Sequence, residues 1–207
     1  MRRIGLLGGS FNPAHRGHRR MSLAALDALG LDEVWWLVSP GNPLKPAVGM
    51  APFAARLASA RAMARRSRIK VSDFEARIGT RYTVDTLDAI VRRWPRDRFV
   101  WLMGEDTVAH FHEWKEWRRL AHIVPIAVIS RPGYDDEARA ARAMGWLRHF
   151  VRPSTMADRW TRWSAPAITF LRLPPDPTSA TRLRALDPDW HRRFAARANA
   201  RARSTKE

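Results

Sequence analysis

The chain has 207 residues, 45% apolar, 10% aromatic and 28% charged, with 14 Pro, 11 Gly, 10 Trp and no Cys. That length suits one domain with a substantial core, and the apolar fraction argues against disorder over most of the chain. The lack of cysteine excludes disulfides, thiolate zinc sites and a cysteine nucleophile.

The longest apolar runs, such as Ile123 to Ile129, fall far short of the roughly 20 residues that a membrane-spanning helix needs. Gly8-Gly9 interrupts the apolar stretch behind Met1-Arg2-Arg3, so no signal peptide is readable. The cytoplasm is therefore the expected location, with no membrane partner. The net charge is +17, and of 37 basic residues 33 are Arg and 4 are Lys. The charges are spread, at Arg65-Arg66-Ser67-Arg68, Arg92-Arg93, Arg118-Arg119 and along the tail Arg192 to Arg203. A basic surface attracts polyanions, whether nucleic acid or anionic nucleotides. No RNA- or DNA-binding module is visible, so nucleic acid is not the expected partner.

In chain order, Ile4 to Leu7 reads as a buried strand, and Gly17 to Leu29 as a helix that ends at Gly30. Val34 to Val38 reads as a second strand, and Pro40 to Gly49 as a loop. Pro52 opens a helix that runs to about Arg66, with Phe53, Leu57 and Ala64 on one face. Ile69 to Val71 is a third strand, and Thr83 to Trp94 an amphipathic helix through Val84, Leu87, Ile90 and Val91. Phe99 to Met103 and Val124 to Ile129 are two more strands, with two short helices between Thr107 and Leu120. Arg139 to Trp146 is a weaker helix and Ile168 to Leu171 a further strand. The alternation predicts an α/β fold, a Rossmann-like and mostly parallel sheet with helices on both faces. One domain over residues 1–190 is expected, followed by a basic tail over 191–207 that is partly disordered.

The first strand runs into Gly8-Gly9-Ser10-Phe11-Asn12-Pro13-Ala14-His15-Arg16-Gly17-His18 and then a helix. Neither a dinucleotide GxGxxG nor a P-loop fits this string. The glycines would let a polyphosphate approach the backbone. Two histidines spaced i to i+3 can share one face of the helix's first turn, where free N–H groups and partial positive charge already favour an anion. The carboxyl end of a strand in an α/β pattern is where ligands bind.

This string resembles the GGSFDPxHxGH signature of the HxGH nucleotidyltransferases, which transfer AMP or CMP from a nucleoside triphosphate. Thr178-Ser179-Ala180-Thr181-Arg182-Leu183-Arg184 resembles that superfamily's SxTxxR element. Ala76 to Leu87, read ARIGTRYTVDTL, is similar to the R-x-G-x-SYTxDTL stretch of bacterial nicotinate-nucleotide adenylyltransferases. Met103-Gly104-Glu105-Asp106 with Phe111, Trp114 and Trp117 resembles their G-x-D…F…W element, and Asn42-Pro43-Leu44-Lys45-Pro46 their loop after the second strand. Asn12 stands where Asp is commoner, and Arg81 where Ser is usual.

The resemblance implies adenylyl transfer from ATP to nicotinate mononucleotide, a late step of NAD synthesis. In that reading His15, His18 and Arg184 are catalytic. Gly8, Gly9, Ser10, Phe11, Gly104, Asp106, Ser179 and Thr181 join them around ATP. Asn42, Lys45, Tyr82, Thr83 and Trp114 meet the mononucleotide. Mg²⁺ is expected with the triphosphate, keeping most of its ligands as water, and no dedicated protein metal site is expected. Several residues carry a second reading. Trp114 and Trp117 can be core, Thr83 can cap the next helix, Lys45 can be a solvated loop charge, and Asp106 can cap a helix instead of meeting the ribose. Core packing is the expected role of Trp35 and Trp36. Other acceptors, nicotinamide mononucleotide or phosphopantetheine, and a basic nucleic-acid-binding role are the alternatives. Self-association is left open.

Overall fold

Six strands form one sheet: β1 (Arg3–Gly9), β2 (Glu33–Val38), β3 (Ile69–Ser72), β4 (Arg98–Gly104), β5 (Ile126–Ser130) and β6 (Ile168–Arg172), in the order β3-β2-β1-β4-β5-β6. Every neighbouring pair is parallel. The computed structural model describes residues 1–41, 49–130, 140–172 and 178–194. Order reverses between β1 and β4, which places a crevice outside the carboxyl ends of those two strands.

Both faces of the sheet are buried, which is why the strands read as apolar runs without a polar face. Successive side chains alternate between two cores. On one side Ile4, Leu6, Phe99, Trp101, Met103, Ile126 and Val128 pack beneath Val84, Leu87, Ile90 and Leu120. On the other, Leu7, Val34, Trp36, Val100, Leu102 and Ile129 pack against Ala25, Leu26, Leu57 and Ala60. The helices that supply these residues are α1 (Arg16–Ala28) and α2 (Phe53–Met63) on the second side. On the first they are α3 (Phe74–Ile78), α4 (Thr83–Arg93), α5 (Glu105–Ala109) and α6 (Trp117–Ile123). Trp36 is fully buried, as expected for a core residue, and Trp35 is partly buried against the first core.

The structure departs from the sequence reading at several boundaries. Pro52 is the N-cap of α2, and the helix stops at Met63, ahead of the left-handed turn at Arg66. Tyr82, not Thr83, is the N-cap of α4; its carbonyl accepts from the Thr86 N–H, and Thr83 is the first helical residue. β5 starts at Ile126, not at Val124, since Pro125 has no N–H to give the ladder and its carbonyl instead accepts from Trp101. Between β4 and β5 lie three pieces instead of two: α5, a 3₁₀ turn over Phe111–Glu113, and α6.

Of the helix expected over Arg139 to Trp146, the described residues hold a turn leading into a short helix at Met144–Leu147. Three described elements carried no sequence expectation. α3 is one short turn of helix, ended by Gly79 at φ 71°. A 3₁₀ turn over Arg148–Phe150 follows the short helix at Met144–Leu147. The third is the nine-residue 3₁₀ segment Ser154–Arg162, whose buried Trp160 donates Nε1–H to the Leu29 carbonyl at 2.9 Å. No helix among the described residues is long and apolar enough to cross a membrane. The chain is described through Phe194, with Trp190 buried; the rest of the expected tail, 195–207, lies outside the described residues.

Two stability predictions follow from buried contacts. A Cβ on Gly8 would lie 2.5 Å from Trp101 Cη2. Gly8→Ala must therefore displace a fully buried indole and should cost about 1–3 kcal/mol in urea denaturation. Glu75 in α3 is 7% exposed, and burial pushes its carboxyl up from 4.5 to about 7, against a hydrogen bond with the Ser39 side chain. Through that window the folded protein keeps a proton that the unfolded chain has released. Stability should therefore fall as pH rises from 4.5 to 7. Glu75→Gln should remove that slope and gain roughly 2–3 kcal/mol at pH 8, read from denaturation curves across pH.

Candidate active site

β1 ends at Gly9, and the chain turns sharply before α1 begins. Phe11 takes φ 47°, a left-handed conformation that a non-glycine side chain adopts only under constraint. The constraint is visible: its ring is buried, stacked on Trp36 at 4.9 Å and packed on His18 at 4.9 Å. The glycines serve this packing. A Cβ on Gly8 would strike Trp101, and one on Gly9 would crowd the Phe11 ring at 3.3 Å. The room their missing side chains leave is filled by aromatic rings, a packing reason for glycine that the sequence reading did not give.

The turn delivers two imidazoles to one point. The His15 and His18 rings lie 3.8 Å apart, with His15 6% exposed and His18 partly buried. His18 Nδ1 accepts from the His15 backbone N–H at 3.2 Å. That contact leaves Nε2 as the ring's N–H donor. The His18 carbonyl is held in turn by Ser22 Oγ at 2.9 Å, which accepts from Trp36 Nε1 at 2.8 Å. The orientation of His18 is thus tied to the core through a chain of hydrogen bonds.

The far end of the sequence closes on the same turn. Arg184 lies in the helix Ala180–Leu186, and its Nη1 donates to the Asn12 carbonyl at 2.7 Å. Its Nη2 donates to Thr181 Oγ1 at 3.2 Å, so the threonine orients the guanidinium. Ser179 caps the helix, its hydroxyl oxygen accepting from the Arg182 N–H at 3.2 Å. A Cβ on Gly17 would lie 3.3 Å from the Thr178 carbonyl, so this segment passes directly over the start of α1. His15, His18 and Arg184, 172 residues apart at the Asn12–Arg184 contact, therefore share one neighbourhood.

On the other side of the crevice, β4 ends at Gly104, which is the N-cap of α5. The exposed Asp106 carboxylate folds back over Gly104, where a Cβ would lie 2.5 Å from Oδ1. It lies in the first turn of α5, and the N-cap place is held by Gly104. Glu105 beside it is buried at 4% exposure, and no sequence motif had singled it out.

Trp114 packs edge-to-face on Trp101 at 6.1 Å and on Phe111 at 5.5 Å, as its core reading expects, and stays partly exposed. Trp117 is packed between Phe111 and Trp146. Lys115, the residue after Trp114, sets its Nζ 4.7 Å over the Tyr82 ring and bonds Asp85 at 3.2 Å; Thr83 follows Tyr82 as the first residue of α4. Asn42 and Lys45 lie outside the described residues.

Sequence reasoning missed Arg56. It is 1% exposed, and its guanidinium donates to the carbonyls of Ser10, Ser39, Pro40 and Ala51. Burial lowers its pKa. Helical periodicity reads apolar positions, so a buried arginine on α2 gave no signal.

The arrangement matches known proteins. The cytidylyltransferase-like family model covers residues 6–186. A probable nicotinate-nucleotide adenylyltransferase of Erythrobacter litoralis is 60% identical over 193 residues, 93% of this chain and 88% of that one. One of Parvibaculum lavamentivorans is 54% identical over 182 residues, 88% and 90% of the two chains. In fold, the chain is similar to a nicotinic acid mononucleotide adenylyltransferase of Plasmodium falciparum solved with NaAD. That match has a TM-score of 0.65 at 17% identity, over 89% of this chain and 83% of that one. The chain belongs to the cytidylyltransferase-like family and, within it, to the nicotinate-nucleotide adenylyltransferases.

Proposed function

We propose that the chain transfers the adenylyl group of ATP to nicotinate mononucleotide, giving nicotinate adenine dinucleotide and pyrophosphate. One observation carries the reading: the Arg184 guanidinium reaches the turn that bears the two imidazoles, whose ring centres lie 3.8 Å apart, so side-chain donors from both ends of the chain converge on one crevice. The relatives at 54–60% identity bear the name of this activity, which supports the choice of acceptor.

In the proposed reaction a phosphate oxygen of the mononucleotide attacks the α-phosphorus of ATP in line. The new P–O bond forms as the bond to the β-phosphate oxygen breaks, and pyrophosphate leaves with the electron pair. No covalent intermediate with the protein is needed. Catalysis is then positioning plus stabilisation of charge that grows on the phosphoryl oxygens.

His18, with Nε2–H as donor, is assigned to the α-phosphate and His15 to the neighbouring phosphates. Ser10 and Phe11 offer backbone N–H groups. Arg184, with Ser179 and Thr181, is assigned to the departing pyrophosphate. Asp106 is assigned to the adenosine ribose. The exposed part of Trp114 offers a stacking surface to the pyridine ring, beside Tyr82 and Thr83.

Among the described residues no group of three or more His, Asp or Glu side chains comes together to hold a metal. The donor set of the crevice, imidazole and guanidinium, suits phosphate oxygens instead. Mg²⁺ would come in with the triphosphate and supply charge neutralisation there, with His15, His18 and Arg184 adding their donors.

Pyrophosphate release should require both ATP and nicotinate mononucleotide, with nicotinamide mononucleotide turned over more slowly. A preference for nicotinamide would reassign the acceptor. Tight, salt-steep oligonucleotide binding with no pyrophosphate release would instead favour the nucleic-acid reading. His18→Ala should lower kcat by about 10²–10³-fold, the scale for one lost donor to a developing oxyanion. Near-normal turnover in that variant would remove His18 from its role.

A further inference from the structure

We infer that Arg56 and Asn12 are positioning residues that fix the phosphate loop against the two ends of the sequence stretch bearing Asn42 and Lys45, which the resemblance assigns to the mononucleotide, and so set the approach of the two reacting phosphates. The inference rests on the reaction proposed above. Arg56 sits in the first turns of α2 and is 1% exposed. Its planar fork spans three stretches of chain at once. Nη1 donates at 2.7 Å to both Ser10, where β1 leaves for the phosphate loop, and Ser39, where β2 ends. Nη2 donates at 3.0 Å to Pro40, and Nε at 3.0 Å to Ala51.

Asn12 completes the tie from the phosphate loop itself. It is 5% exposed; Nδ2 donates to the Gly49 carbonyl at 2.9 Å and Oδ1 accepts from the Ala51 N–H at 3.2 Å. The chain that departs at Ser39 and Pro40 and the chain that returns at Gly49 and Ala51 are therefore both fastened to residues 10–12.

Among the described residues Arg56 makes no ion pair with a carboxylate. Its charge is balanced by carbonyl dipoles, at the cost of burial that lowers its pKa. A buried cation with four carbonyl partners is a poor means of filling a core, where apolar packing would serve. It is well suited to holding separate segments at fixed distance and angle, which a lysine's single ammonium cannot do. The substitution of Asn for the commoner Asp at position 12 also gains a physical reason: only the amide can donate to Gly49 while accepting from Ala51.

The test uses the full chain with Arg56→Lys and Asn12→Asp. Folding is followed by circular dichroism, the Kd of ATP alone and of nicotinate mononucleotide alone by calorimetry, and kcat by pyrophosphate release. Arg56→Lys should bind each substrate within about fivefold of the parent yet lose about 10²-fold in kcat, as expected when bound groups are misaligned by about 1 Å. Asn12→Asp, which keeps one of the two contacts, should show the same pattern at about tenfold, and it decides the matter if Arg56→Lys does not fold. A folded variant with kcat within about threefold of the parent would overturn the inference. So would a kcat loss matched by an equal loss in the separate affinities, the mark of damage to each site alone. A parent enzyme inactive with both substrates present would instead overturn the proposed reaction, a result visible before any variant is made.

Discussion

The 2.7 Å bond from Arg184 to the Asn12 carbonyl joins the last helix of the fold to the first loop. Without it the imidazoles at the end of β1 would have no guanidinium tied to their turn from the far end of the chain. The bond is possible because the sheet order reverses between β1 and β4. Reversal leaves the carboxyl end of the first strand uncovered by its own crossover, so a segment from the far end of the chain can pass over it. The same loop gives its Ser10 carbonyl to Arg56 and its Asn12 carbonyl to Arg184, so two guanidiniums hold one short loop.

Rigidity in this loop comes from aromatic packing as much as from hydrogen bonds. Phe11 is wedged between Trp36 and His18, and Trp101 fills the place where Gly8 has no side chain. Trp101 is in edge contact with Trp114, which is in contact with Phe111. A continuous set of rings therefore runs from beneath the phosphate turn to the surface assigned to the pyridine. Rings pack at few stable angles, so displacement at one end is resisted at the other. The phosphate turn and the Trp114 surface thus belong to one body of packed side chains.

The parts of this plan that were legible in the sequence are local ones. Strands buried on both faces show as apolar runs, and Ile4 to Leu7, Val34 to Val38 and Phe99 to Met103 fall within β1, β2 and β4. The GGSFNPAHRGH string is contiguous, so its residues had to be neighbours in space. What was not legible depends on distance along the chain. Arg56 lies 46 residues from Ser10, and nothing in the amphipathic pattern of α2 announces that an arginine turns inward. Gly8 reads as open backbone until Trp101 is seen beside it. The 3₁₀ segment at Ser154–Arg162 turns only Ala157 and Trp160 inward, too short a repeat to stand out among polar residues, and Trp160 is bonded to Leu29 across the fold. Thr83 looked like a cap by composition, yet Tyr82 holds that place because its carbonyl is where the helix ladder starts.

The arginine excess gives the same lesson about charge. A net +17 invites a polyanion, but the described arginines divide by environment more than by number. Arg2 pairs with Asp97 and Glu33, Arg119 with Asp88 and Glu116, and Arg193 with Asp187, all at the surface, where such pairs contribute little. Arg56 and Arg184 instead spend their donors on backbone carbonyls around one turn. Carbonyl dipoles stabilise such a guanidinium without cancelling its net charge, whereas a carboxylate cancels it. Net charge therefore says little about this site: its turn is held by two guanidiniums whose donors go to carbonyls and, for Arg184, to the Thr181 hydroxyl.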